Sequence, residues 1–309
     1  MVPSRSAQWL VVLALVLGLC WGPRGPVFQA AAAEAAPTPS SSTPAKPGSP
    51  PLTGELELLR AALAAEPSAK TAWLGGFDPE EWRPAAVTDW PGPVPILMFH
   101  EVGDLESELF VAPDVFRRQM DYLVRRGFST ISFAQLLAYL EEGRPLPPKP
   151  VLLTFDDGYT SLYEIVYPVL AERGLTATFF IETGAVGRPN RVTWEQLAEM
   201  AAAGFEIGSH TVTHPDLRTL TSDMLSLVRE VALSRAELEE RLGVTVIAFS
   251  YPAGKHDPTV VHAVRVAGYR AAVTTASARV TVGRDPLLLP RIRINRSHGY
   301  EGFTVLVGP

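Results

Sequence analysis

The sequence predicts an α/β fold in which helices wrap a parallel sheet, and three observations carry that prediction. Short apolar and β-branched runs alternate with helical stretches from about Val94 onward. This order builds a parallel sheet with helices outside, as an open sheet or as a barrel. Each helical stretch is followed by a glycine (Gly127, Gly143, Gly174, Gly204, Gly243, Gly268), the residue that most readily takes the left-handed conformation that stops a helix. The run Val151-Leu152-Leu153-Thr154-Phe155 lies between Pro150 and Asp156-Asp157-Gly158, and reads as a strand buried on both faces.

Residues 1–36 read as an export signal. Arg5 gives a positive start, residues 9–20 form an apolar stretch shorter than a spanning helix needs, and Ala30 to Ala36 offers small-residue cleavage sites. Left uncleaved, the same segment would anchor the chain to a membrane. Leu19 before Cys20 argues against lipid attachment there. Residues 37–54 are rich in Pro, Ser and Thr and make a tether that cannot bury a core. Residues 55–92 form a short helical lead-in, with one amphipathic helix over 55–65. A folded domain is expected over 93–309.

Within that domain, strands are expected at 96–99, 129–132, 151–155, 176–181, 205–208, 244–249, 271–274 and 291–294. Helices fit between them at 113–126, 133–142, 161–173, 194–203, 222–242 and 258–267. Thr193 with Gln196 three residues on, and Asp257 before Pro258, mark helix starts.

Composition bounds the function. With 309 residues and 47% hydrophobic content the chain can bury a real core, and its net charge of -6 leaves no basic footprint for nucleic acid. The single cysteine, Cys20, lies in the N-terminal apolar run. That excludes an intrachain disulfide, a cysteine metal site and a thiol nucleophile.

Two polar clusters each end an expected strand, where α/β folds place their sites. Asp156 and Asp157 repel one another, and strand side chains alternate direction. One can therefore face a cation while the other stays free as a base; the plainer reading is a solvated Asp-Asp-Gly turn. The second cluster, Ser209-His210-Thr211-Val212-Thr213-His214, follows the strand 205–208. If the chain turns helical after Ser209, the two imidazoles share one face and can share a metal. Otherwise they are structural or simply exposed. Two histidines with one carboxylate make a facial ligand set that leaves room for water and substrate.

The pairing of Thr154-Phe155-Asp156-Asp157 with His210-Thr211-Val212-Thr213-His214 resembles the first two motifs of the polysaccharide deacetylases, the carbohydrate esterases that share the NodB-type domain. The resemblance runs over about 93–303. It takes in Ser250-Tyr251-Pro252-Ala253-Gly254, Leu289-Pro290-Arg291-Ile292-Arg293-Ile294, and Pro95-Ile96-Leu97-Met98-Phe99-His100-Glu101-Val102. It implies a distorted (β/α) barrel with Asp157, His210 and His214 as ligands of Zn²⁺ or another divalent ion. It further implies Asp156 as the general base, and the Tyr251 N–H beside Pro252 as a donor to the oxyanion.

The chain also departs from the common family pattern. Ser250 stands where many members carry the arginine that orients the catalytic aspartate, no Asp-Trp motif follows, and no Leu-His pair lies near the C-terminus. His100, ending the first strand, resembles the acid histidine of the subgroup acting on poly-N-acetylglucosamine; it is otherwise structural. Arg291 either orients Asp156 or makes a plain salt bridge. His256, His262 and His298 read as surface residues. The resemblance implies an exported deacetylase that frees acetate from a GlcNAc-containing polysaccharide, poly-N-acetylglucosamine or peptidoglycan. The alternatives are a non-catalytic glycan-binding domain and an acetyl-xylan esterase or small-amide hydrolase.

Overall fold

The computed structural model describes residues 92–308. The expected export segment, tether and nearly all of the helical lead-in lie outside the described residues.

The chain opens with β1 (Ile96–Phe99), then β2 (Glu101–Val102) and β3 (Phe110–Val111), before α1 (Pro113–Arg125). Next come β4 (Ser129–Thr130), α2 (Phe133–Glu142) and β5 (Pro150–Phe155). A π turn (Leu162–Val166) leads into α3 (Tyr167–Ala171), followed by β6 (Thr178–Ile181), α4 (Trp194–Ala202) and β7 (Glu206–Ser209). The long helical stretch is α5 (Met224–Val228), a second π turn (Arg229–Leu233) and α6 (Ser234–Leu242). Last come β8 (Ala248–Ser250), α7 (Pro258–Val266), β9 (Ala271–Val273), β10 (Ile292–Arg293) and α8 (Gly299–Val307).

The strands pair in parallel in the order β10-β1-β5-β6-β7-β8-β9, with β4 beside β5. The segment 289–293 draws the two ends of this sheet together. Leu289 bridges Val273 of β9, while Ile292 and Arg293 pair with Leu97 and Met98 of β1. This is the distorted (β/α) barrel that the resemblance implied.

Alternation along β5 sorts its side chains. Val151, Leu153 and Phe155 join the layer under the helices, with Leu97, Phe99 and Phe179 and with Phe116 and Met120 of α1. Leu152 joins an inner cluster with Ile96, Phe180, Ala248 and Ala271. Phe133 of α2 belongs to that inner cluster, and its N–H donates to Glu206 Oε2 at the start of β7, 3.0 Å away. The apolar filling and α2 thus occupy the N-terminal end of the strands. The opposite end is left to polar groups.

The sequence placed the elements closely and their ends less so. The strand expected at 244–249 is observed at Ala248–Ser250, and the helix expected at 222–242 is interrupted by a π turn. The short β2–β3 pair and α8 were not anticipated.

Candidate active site

One step beyond the inner apolar layer, the barrel interior turns polar. Asp156 follows β5 and is 3% exposed; Arg291 is 1% exposed. The guanidinium grips the carboxylate with both arms, Nη1 to Oδ1 and Nη2 to Oδ2, each 2.7 Å. Arg291 is itself fixed by Thr154 Oγ1 (3.1 Å), Thr274 O (3.1 Å) and Ser250 Oγ (3.1 Å), and Ser250 Oγ donates to Asp156 Oδ2 at 3.3 Å. Burial raises the Asp156 carboxyl, but the charge and hydrogen bonds of Arg291 outweigh it and hold the group well below the usual range. Removing one partner of such a buried pair typically costs about 3–5 kcal/mol. The arginine absent from position 250 is supplied from position 291, and Ser250 joins the same network. Arg291, expected either to orient Asp156 or to make a plain salt bridge, lies buried against that carboxylate.

Asp157 lies past the strand end in the left-handed region, φ 75°, which Asp tolerates better than most residues. Its Oδ1 is 3.3 Å from His210 Nε2 and 3.7 Å from His214 Nε2. His210 Nδ1 lies 2.7 Å from Ser250 O. A carbonyl only accepts, so Nδ1 carries a hydrogen and Nε2 of the neutral ring turns a lone pair toward the carboxylate. The ligand atoms of Asp157, His210 and His214 lie within 4.8 Å of one another. A tetrahedral ion at the usual 2.0–2.2 Å from each donor sets neighbours about 3.3–3.6 Å apart. The donor set fits a divalent ion.

The route to this geometry differs from the sequence expectation. The chain does not turn helical after Ser209. Residues 210–216 are irregular, with Thr211 at φ 69° and His214 at φ 57°. His214 N donates to Thr211 Oγ1 (2.9 Å), and the loop lies on the next crossing, where Thr183 N and Gly184 N donate to Thr211 O and Val212 O. The two rings still meet, 4.7 Å between centroids.

His100 follows β1, half-buried, within the field of Asp156 and Asp157. Burial lowers its pKa and the two aspartates pull it back up, leaving it below the ordinary histidine value. Among the described residues no hydrogen bond holds its imidazole. The Tyr251 N–H donates to Val273 O at 3.2 Å, and the buried phenol donates to Leu287 O at 3.1 Å. The N–H expected to donate to the oxyanion thus faces Val273 O at the end of β9. Pro252, itself buried, starts a short turn behind it. His298 Nδ1 accepts the Asn295 N–H at 2.9 Å, His256 contacts Gly254 O, and His262 is exposed on α7.

Sequence reasoning passed over Arg191. It donates to Asp157 O at 2.6 Å, stacks on the Tyr159 ring at 4.2 Å and pairs with Glu182 at 3.7 Å. Its loop carries no motif, so nothing in the chain marked it.

A parallel barrel with a carboxylate–histidine set and a charge-held aspartate at its C-terminal mouth defines a hydrolase. Comparison with known proteins narrows that class. The profile of the polysaccharide deacetylase family matches residues 143–272. YxkH of Bacillus subtilis (strain 168), named for the same family, is 32% identical over 208 residues, 67% of this chain and 74% of that protein. The chain belongs to the polysaccharide deacetylase family. The poly-β-1,6-N-acetyl-D-glucosamine N-deacetylase of Escherichia coli (strain K12) is 31% identical over 157 residues, 44% of this chain but only 23% of that enzyme. The Streptococcus pyogenes deacetylase PplD, solved with acetate, aligns with a TM-score of 0.67 at 29% identity, covering 71% of this chain and 100% of that one.

Proposed function

We propose that this chain is an exported, metal-dependent N-deacetylase of a GlcNAc-containing polymer, poly-N-acetylglucosamine before peptidoglycan. The observation that carries the chemistry is the packing of a three-donor ion site against a buried, ionised Asp156. The polymer assignment is supported by likeness to the E. coli enzyme and by His100 at the end of β1.

Asp157, His210 and His214 would hold the ion, Zn²⁺ by its nitrogen-rich donor set. Such an ion polarises a carbonyl and lowers the pKa of water. Asp156 accepts the proton of the attacking water as its oxygen bonds to the acetyl carbon. Because Arg291 keeps the carboxylate charged, it is always ready but weakly basic, so geometry supplies much of its effect. The C–N bond then breaks. His100 delivers a proton to the departing nitrogen, leaving acetate and a sugar amine. Export and any membrane attachment rest on residues 1–36. Among the described residues no helix is long and apolar enough to cross a membrane.

The test is acetate release by metal-reconstituted protein from poly-N-acetylglucosamine, peptidoglycan, chitin oligomers and acetyl-xylan. Fastest release from poly-N-acetylglucosamine is expected. Release from acetyl-xylan alone would make the protein an esterase, and binding without release would make it a glycan-binding domain.

A further inference from the structure

The loop carrying both histidines has no regular structure to hold it. With Thr211 and His214 left-handed, the N–H groups of half-buried Val212 and exposed Thr213 have no helical carbonyl to bond. Both donate to one carboxylate oxygen. Val212 N lies 3.0 Å and Thr213 N 2.9 Å from Glu230 Oε2, while Thr213 Oγ1 donates to Glu230 Oε1 at 2.6 Å. Hydrogen bonds to an ionised acceptor are roughly twice as strong as neutral ones. Glu230 belongs to the π turn that interrupts the helical stretch. Four residues on, Ser234 Oγ sits 2.7 Å from Ser209 Oγ, which accepts the Thr211 N–H at 3.3 Å. Thr211 is thus held by Ser209 and Thr183, Val212 by Gly184 and Glu230, and Thr213 by Glu230 through both its N–H and its hydroxyl.

We infer that Glu230 is a positioning residue for the histidine pair. Its carboxylate stands in for the carbonyls a helix would have offered, and it sets the approach of His210 and His214 Nε2 to Asp157. The inference rests on the reading of those three residues as an ion site. It assigns Glu230 no contact with substrate.

The experiment is a Co²⁺ titration of metal-free full-length protein, followed by visible ligand-field absorption, with thermal midpoints measured alongside. Glu230→Ala is expected to weaken Co²⁺ binding by about 10–100-fold, the usual effect of losing a partner behind the ligands, and to alter the absorption bands. Glu230→Gln, which keeps an acceptor oxygen without the charge, should fall between. Glu237→Ala, which removes a surface pair with Arg241 on the next helix, should match wild type. Affinity of Glu230→Ala within about twofold of wild type, with unchanged bands, overturns the inference. If Glu230→Ala does not fold, Glu230→Gln decides, and wild-type affinity there is the overturning result. Wild-type protein that takes up no Co²⁺ overturns the ion site itself and this inference with it.

Discussion

Asp156 is the side chain at which stability and the proposed chemistry meet. Its carboxylate is the only acid paired with buried Arg291 among the described residues. Asp156→Asn should therefore act twice. Deacetylation is expected to fall by about 10²–10⁴-fold, the worth of a general base. Unfolding free energy should drop by about 3–5 kcal/mol, because Arg291 is left charged and buried. Bound metal should stay at the wild-type level; a variant that keeps most of its rate would remove Asp156 from the base role. His100 calls for a different measurement. An amide nitrogen leaves poorly unless protonated, whereas an activated acetate ester needs no such help. His100→Ala should lose far more amide than ester activity, and His298→Ala, whose ring caps Asn295, should lose neither selectively. Equal losses on both substrates would place the acid elsewhere.

The helices were legible at their starts because caps are local chemistry. Thr193 Oγ1 accepts the Gln196 N–H at 3.3 Å and Gln196 Oε1 accepts the Thr193 N–H at 2.9 Å, the reciprocal pair its spacing announced. Asp257 caps Val260 N at 2.9 Å, with Pro258 at the first helical position. Thr193→Ala should cost about 1 kcal/mol in urea unfolding. The π turns were not legible, since what they achieve is a contact with a distant element. In one, Val231 O accepts the buried Tyr269 hydroxyl at 3.0 Å. Burial pushes that phenol up to about 12. Above pH 10 the unfolded chain ionises while the folded one does not, so stability falls between pH 10 and 12, by roughly 2–3 kcal/mol in full. Tyr269→Phe should flatten that slope, and an unchanged slope would assign the alkaline loss to other groups. The histidine loop is the same lesson at the site. His210 and His214 were named from spacing, yet a non-helical loop brings them together; Glu230 reaches that loop, and Arg191 reaches Asp157 O, from segments without a motif.

At the scale of the molecule, the barrel unites parts that lie far apart in the chain. Pairing β10 with β1 puts Arg291 and His100 at one mouth with Asp156, though they are separated by most of the domain. Under the proposed mechanism, the same closure lets a chain lacking the late family histidine draw its acid from the first strand. The fold and the gathering of Asp157, His210 and His214 were readable because alternation and strand-end polarity are written locally. The bidentate Arg291–Asp156 pair and the bond from Tyr251 N–H to Val273 O depend on register, which the sequence leaves open. Acetate release is predicted to depend on a single divalent ion held by Asp157, His210 and His214. The direct measurement is acetate released from poly-N-acetylglucosamine as Zn²⁺ is added back to metal-stripped protein. Activity is predicted to rise in proportion to bound metal and to level off at one ion per chain, with a His210→Ala, His214→Ala double variant silent throughout. Full activity in the stripped protein, or stoichiometric metal and turnover in the double variant, would contradict it.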